Sequence, residues 1–214
     1  MRYIVIAAVS VTFAVACGGD APQPSASPVD DGIAQLVLHD EDIPAGIGVL
    51  TETQVVRADK PCLRPGEQPA ETASVLAYRT YDAPEPFPER GAQRVIVTSA
   101  LHPSRDRAKA ELECDAAGIS SDSLNRLLQP EWHLVSYEDL NELEVGEDRK
   151  AVHYVAVNAD GLVFLETYWA TFRRGEVTAV LNVRAPLDNI GQEQFESLAR
   201  KLDLRVQEGL RSLP

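Results

Sequence analysis

Residues 162–172, LVFLETYWATF, lie between two turn signals, Ala159-Asp160-Gly161 and Arg173-Arg174-Gly175, and are apolar on both phases of a period-two alternation. Phe164, Tyr168, Ala170 and Phe172 fall on one phase, and Val163, Leu165 and Trp169 on the other. A strand of this kind has to be covered from both sides, which demands layers above and below a sheet. Residues 149–158 and 177–184 read as strands on either side of it, and 132–137 as another, so the last third of the chain predicts an antiparallel meander. The covering element follows Pro186. Between 192 and 210, Phe195, Leu198, Ala199, Leu202, Val206 and Leu210 recur at helical spacing as one apolar stripe, with Leu187 and Ile190 placed to staple its start. The other face mixes Glu193, Glu196, Arg200, Lys201, Asp203 and Glu208, which suits a helix packed on a core. A helix lying on a membrane would be rich in Lys and Arg there.

Upstream, residues 49–56, 75–81 and 93–101 predict three more strands, separated by proline-bearing loops at 60–71 and 83–91. Ser104 is placed to cap a helix running to Ala117, on which Ala108, Leu112 and Ala116 share a face. Gly118 ends that helix, and Ser121 or Asp122 caps a shorter one through Leu128. The expected fold is α+β: one domain over residues 32–214, an antiparallel sheet with a C-terminal meander and helices packed on both faces.

Residues 1–16 have a single basic residue, Arg2, an apolar run from Tyr3 to Ala16, and small residues at the end. The run is too short to span a bilayer and reads as a secretory signal peptide. The block Ala14-Val15-Ala16-Cys17-Gly18 resembles a bacterial lipobox, with Ala14 in place of the usual leucine. That resemblance implies that Cys17 is lipidated; the alternative is an ordinary cut after Ala16. Residues 17–31 then form a Gly/Ala/Pro/Ser tether with too little apolar bulk to offset its own ordering entropy. The expected location is the cell membrane or outer membrane, anchored by lipid and facing the extracytoplasmic side.

Charge narrows the partners. The chain has 33 acidic against 20 basic residues, a formal net charge of −13, and no long window in which basic residues predominate. Nucleic acid is excluded as a partner on that ground. Cys62 and Cys114 remain after Cys17, an even pair in an exported chain, and are expected to be bridged. In the chain-entropy model a loop of this length contributes roughly 4 kcal/mol. Cys114 lies about 200° round the helix from Leu112, so a bridged 60–71 loop passes over the helix's outer face.

Several of these segments resemble a known group. The lipobox and tether, the pattern L-x-x-x-D-x-P-x-G at Leu38, Asp42, Pro44 and Gly46, and the turn Leu143-Glu144-Val145-Gly146-Glu147-Asp148 are similar to those of bacterial lipoproteins with extracytoplasmic sensor-like domains. The glycine-led strand at 175–181, followed by a last amphipathic helix, resembles the PsbP-like and mycobacterial kinase-ectodomain sandwiches. The resemblance implies a binding or sensing domain of the envelope and brings no active site with it.

Catalytic signatures are missing: neither G-x-S-x-G, S-x-x-K nor H-E-x-x-H occurs. Gly46-Ile47-Gly48 reads as a turn, and His39-Asp40-Glu41-Asp42 as a helix-capping turn without the alternation of a calcium loop. His102, His133 and His153 are spread along the chain, and no metal or cofactor is expected. Trp132, Tyr154, Tyr168 and Trp169 in the meander are the candidate ligand-binding residues, since aromatics on one sheet face line a groove for an apolar or sugar ligand. Arg173, Arg174 and Arg184 read as a basic island near the sheet end, open to an anionic partner. The function expected is a non-catalytic, lipid-anchored binding or sensor-like domain for an envelope protein or a small ligand. The alternatives are an envelope-polymer hydrolase using paired carboxylates, or a structural or assembly lipoprotein.

Overall fold

The computed structural model describes residues 32–44, 49–58, 74–84 and 92–213. The signal peptide, Cys17 and its tether, Cys62 in the 60–71 loop, most of the 83–91 loop and Gly46-Ile47-Gly48 lie outside these residues. Seven strands form one antiparallel sheet: β1 (Val49–Ala58), β2 (Ser74–Asp82), β3 (Arg94–Leu101), β4 (Trp132–Asp139), β5 (Asp148–Asn158), β6 (Phe164–Arg174) and β7 (Val177–Pro186). Their order is β1-β2-β3-β7-β6-β5-β4. The fold is therefore α+β, with the expected meander running β4 to β7 and its last strand closing against β3.

Helices α1 (Arg105–Gly118) and α2 (Ser121–Leu128) pack on one face and α3 (Gln192–Ser212) on the other. Ser104 caps α1 by accepting from the N–H of Arg107 at 3.2 Å. Gly118 closes α1 from within the helix, and Ser120, one residue before the expected position, caps α2 by accepting from the N–H of Ser123. The stripe of α3 buries Phe195, Leu198, Ala199, Leu202 and Val206 against Phe172, Leu181 and Val183, while Leu210 packs at its margin. Ile190 is buried at the helix start and Leu187 is exposed, so only one of the two expected staple residues serves.

Residues 33–38 complete this core, with Ile33, Leu36, Val37 and Leu38 all buried. Backbone carbonyls hold the segment down: Tyr81 Oη donates to Leu38 O at 2.9 Å and Ser99 Oγ to Leu36 O at 2.7 Å. The segment meets α3 at Gly209, where an added Cβ would lie 2.1 Å from Leu36 Cδ2. A helix-interior glycine is otherwise unfavourable, and the close approach explains it. At the far end of the sheet, His102 takes Ser74 Oγ at 3.0 Å on Nδ1 and Thr178 Oγ1 at 2.8 Å on Nε2, tying β2 and β7 to the end of β3.

Candidate functional site

The β5–β6 hairpin sets the site's register. Asn158 Oδ1 accepts from the N–H groups of Leu162 and Val163 at 2.8 and 2.9 Å, and Gly161 takes φ +70° in the turn. His153 is thereby opposite Tyr168, and Val155 opposite Glu166, which puts all four side chains on the α3 face. A slip of one residue would send His153 and Glu166 to opposite faces.

Glu166 is 5% exposed and is the centre of a polar cluster. Its Oε1 lies 2.8 Å from His153 Nε2 and accepts from Tyr168 Oη at 3.2 Å, while Oε2 accepts from the Asp188 N–H at 3.2 Å. The His153 ring stacks on Tyr168, centroids 4.3 Å apart, and Tyr168 in turn on Phe195 at 5.2 Å. Burial, followed by the nearby negative charge of Glu166, raises the Tyr168 hydroxyl well above its ordinary pKa and keeps it a donor. Asp188, whose N–H donates to Glu166, adopts φ +64°, a left-handed conformation that a non-glycine residue seldom takes. His153 keeps 21% of its side chain exposed. No described residue engages its Nδ1, and Phe164, exposed on the same face, lies two residues from Glu166 along β6.

Glu166 was not among the residues expected to form a site. Its signal is visible in LVFLETYWATF, where the phase that carries Phe164, Tyr168, Ala170 and Phe172 is interrupted by a carboxylate. The four candidate aromatics do not meet in one groove. Trp132, Tyr154 and Trp169 share the face of α1 and α2 through their partners in register, whereas Tyr168 points to α3. Strand periodicity separates the neighbours Tyr168 and Trp169. Tyr154 is buried in a small cluster with Ile119, Leu124 and Val152, and Trp169 packs against it. Trp132 is half-buried at the start of β4.

The basic island is not one. Arg173 and Arg174 end β6, whereas Arg184 pairs with Thr167 near the opposite end of that strand. Arg173 is neutralised by Glu147 at 2.8 Å and Asp148 at 2.6 Å, and Arg174 by Asp203 at 2.6 Å. His39 to Asp42 form one 3-10 turn, in which Asp42 accepts from the His39 N–H and pairs with Arg205. Among the described residues no three His, Cys, Asp or Glu side chains are grouped to hold a metal ion.

The same architecture occurs in a solved structure. The extracellular domain of PknH from Mycobacterium tuberculosis superposes with a TM-score of 0.51 over 87% of this chain and 98% of its own, at 15% identity. At that identity the likeness establishes a kinase-ectodomain-like fold. No protein-family model matches the chain, and no curated protein sequence does. Among the described residues no helix is long and apolar enough to cross a membrane.

Proposed function

We propose that the chain is a lipid-anchored extracytoplasmic domain that binds a ligand at His153, Glu166 and Tyr168 without transforming it. The observation that carries this reading is the fixed His153 ring: Glu166 holds Nε2 and Tyr168 stacks on it, while no described residue engages Nδ1 of this partly exposed side chain. A histidine so held, stacked on a tyrosine, suits a ligand offering polar hydroxyl or amide groups beside an apolar surface, as an envelope sugar does. The likeness to an extracellular kinase domain supports an extracytoplasmic, sensor-like role. The leader, Cys17 and the tether support the anchor.

A non-catalytic role is supported by where nucleophile and base come together. The Ser74–His102 pair has the distance of a serine–base couple, but Ser74 is 3% and His102 2% exposed, and Thr178 occupies the second ring nitrogen. Cys114 is half-buried on α1, and its bridge to Cys62 is part of this reading.

A thermal-shift screen of the purified chain against soluble cell-wall glycan fragments tests the site. The expected result is a stabilisation lost in His153→Ala and kept in His133→Ala; stabilisation surviving in His153→Ala would remove the reading. Cys17→Ala is expected to release the protein from membranes, and continued membrane association would contradict the lipid anchor.

A further inference from the structure

The α1/α2 face of the sheet carries two adjacent rows of side chains in cross-strand register. One runs Asp82–Arg94–Arg184–Thr167–Tyr154–Tyr137 from β2 to β4, and the next Thr80–Ile96–Asn182–Trp169–Val152–Asp139. Where β7 meets β6, these rows set Arg184 beside Thr167 and Asn182 beside Trp169. Two of the groups at this crossing, the Arg184 guanidinium and the Trp169 indole N–H, have no partner among the described residues.

Arg184 is half-buried, yet no described residue gives its guanidinium an ion pair or a hydrogen bond. Other half-buried arginines are engaged: Arg79 by Leu38 O, Arg173 by Glu147 and Asp148, Arg174 by Asp203, and Arg205 by Glu41 and Asp42. Arg184 also stands directly opposite Arg94, a like-charge pair that is repulsive across adjacent strands. The one carboxylate in that row, Asp82, is taken by Arg94 and by Thr51 Oγ1. Trp169 adds a second anomaly: its indole Nε1 is buried and has no acceptor among the described residues. A buried donor left unmet is costly, and native proteins seldom keep one without a reason.

We infer that Arg184, Asn182, Thr167 and the Trp169 indole form a second binding site, which takes a small ligand bearing a carboxylate or a phosphate. A guanidinium binds either group through two parallel charge-assisted hydrogen bonds, and an anion placed there also relieves the Arg94–Arg184 repulsion. Asn182 supplies an amide N–H, Thr167 a hydroxyl, and Trp169, opposite Asn182 in register, an indole N–H that lacks an acceptor among the described residues. The net charge of −13 does not preclude this. Exposed charges act over about 8 Å at physiological salt, so the acids of distant surfaces are screened from the crossing. The site lies on the opposite face from His153 and stands independently of the function proposed there.

Trp169 makes the site its own reporter. The full chain carrying Trp132→Phe has Trp169 as its single tryptophan, and its fluorescence is titrated with inorganic phosphate and, separately, with D-galacturonate. A saturable change with at least one probe is expected, with the probe that binds identifying the ligand's anionic group. In the same background Arg184→Gln should weaken that binding at least tenfold, Arg184→Lys should recover part of it, and Arg211→Gln, on the far end of α3, should leave it unchanged. Asn182→Ala gives a second variant that keeps the charge, with several-fold weakening expected. No saturable response to either anion overturns the proposal, as does an Arg184→Gln protein that remains folded by circular dichroism and binds as tightly as its parent.

Discussion

The two faces of the sheet are covered in different ways. On the α3 face one continuous core runs from Ile33 through Phe172, Leu181 and Phe195 to Val206, and the carboxylate at its margin, Glu166, has three donors. The α1/α2 face holds a smaller cluster of buried residues, Ile119, Leu124, Val152 and Tyr154, together with an indole N–H and a half-buried arginine that have no partner among the described residues. A long helix with an unbroken stripe and a pinned N-terminal segment stabilises the first face. Shorter helices cover the second, and each face keeps buried nitrogens without a partner among the described residues, Trp169 Nε1 on this one and Arg79 Nε and His39 Nε2 beside the N-terminal segment.

The largest effect tests this division of labour directly. Leu202 in α3 and Leu124 in α2 are buried to nearly the same degree, at 0% and 2% exposure, so Leu→Ala at each removes the same atoms. Leu202→Ala should cost about 3–5 kcal/mol, because α3 is held by the whole core and cannot collapse into the cavity. Leu124→Ala should cost roughly 2–3 kcal/mol, since a two-turn helix can settle towards the sheet. Urea denaturation of both variants measures the difference. Equal losses would mean that the two faces share stability evenly and that the contrast is one of extent alone.

The polar cluster gives an intermediate effect. Glu166→Ala deprives the Tyr168 hydroxyl, His153 Nε2 and the Asp188 N–H of their acceptor, and should cost about 1–3 kcal/mol. Glu166→Gln keeps one acceptor oxygen and should cost less. The same urea series reads both, and a Gln variant less stable than the Ala variant would show that the cluster does not act through acceptance by Glu166.

The contrast between faces was only partly legible in the chain. Period-two alternation at 162–172 and the helical stripe at 195–210 report directly on local burial, and the meander, α3 and the two-sided covering follow from them. Non-local pairing leaves no such trace: nothing local says that β7 closes against β3, or that residues 33–38 fill the core beneath Tyr81 and Ser99. The candidate site fared less well, only partly for the same reason. Tyr168 and Trp169 already fall on opposite phases of the 162–172 alternation, so grouping them in one groove runs against the chain's own pattern, whereas Arg173, Arg174 and Arg184 read as an island until register separates them along the length of β6. His153 and Glu166 meet only because the Asn158–Gly161 turn fixes how β5 and β6 align. Neither residue carries that information alone.

The smallest expected effect concerns the latch that pins the N-terminal segment to α3, for which the described part of the α1/α2 face has no counterpart. Burial by itself would raise the Asp42 carboxyl, but hydrogen bonds from Arg205 and the His39 N–H outweigh it and hold the pKa below its ordinary value of 3.8. His39 is pushed below its ordinary 6.5, first by burial and then by the charges of Arg79 and Arg205. Both shifts act in one direction. The unfolded chain binds more protons than the folded one between each lowered pKa and its ordinary value, so stability falls as pH drops, first below about 6.5 through His39 and again below about 4 through Asp42. Asp42→Asn should cost about 0.5–1 kcal/mol at pH 7, the range of a partly exposed ion pair, and should abolish the lower of the two declines. Hydrogen exchange across that pH range should show the amides of residues 33–38 and the C-terminal half of α3 losing protection before those of α1. If α1 loses protection first, acid sensitivity belongs to the other face and the latch does not set it.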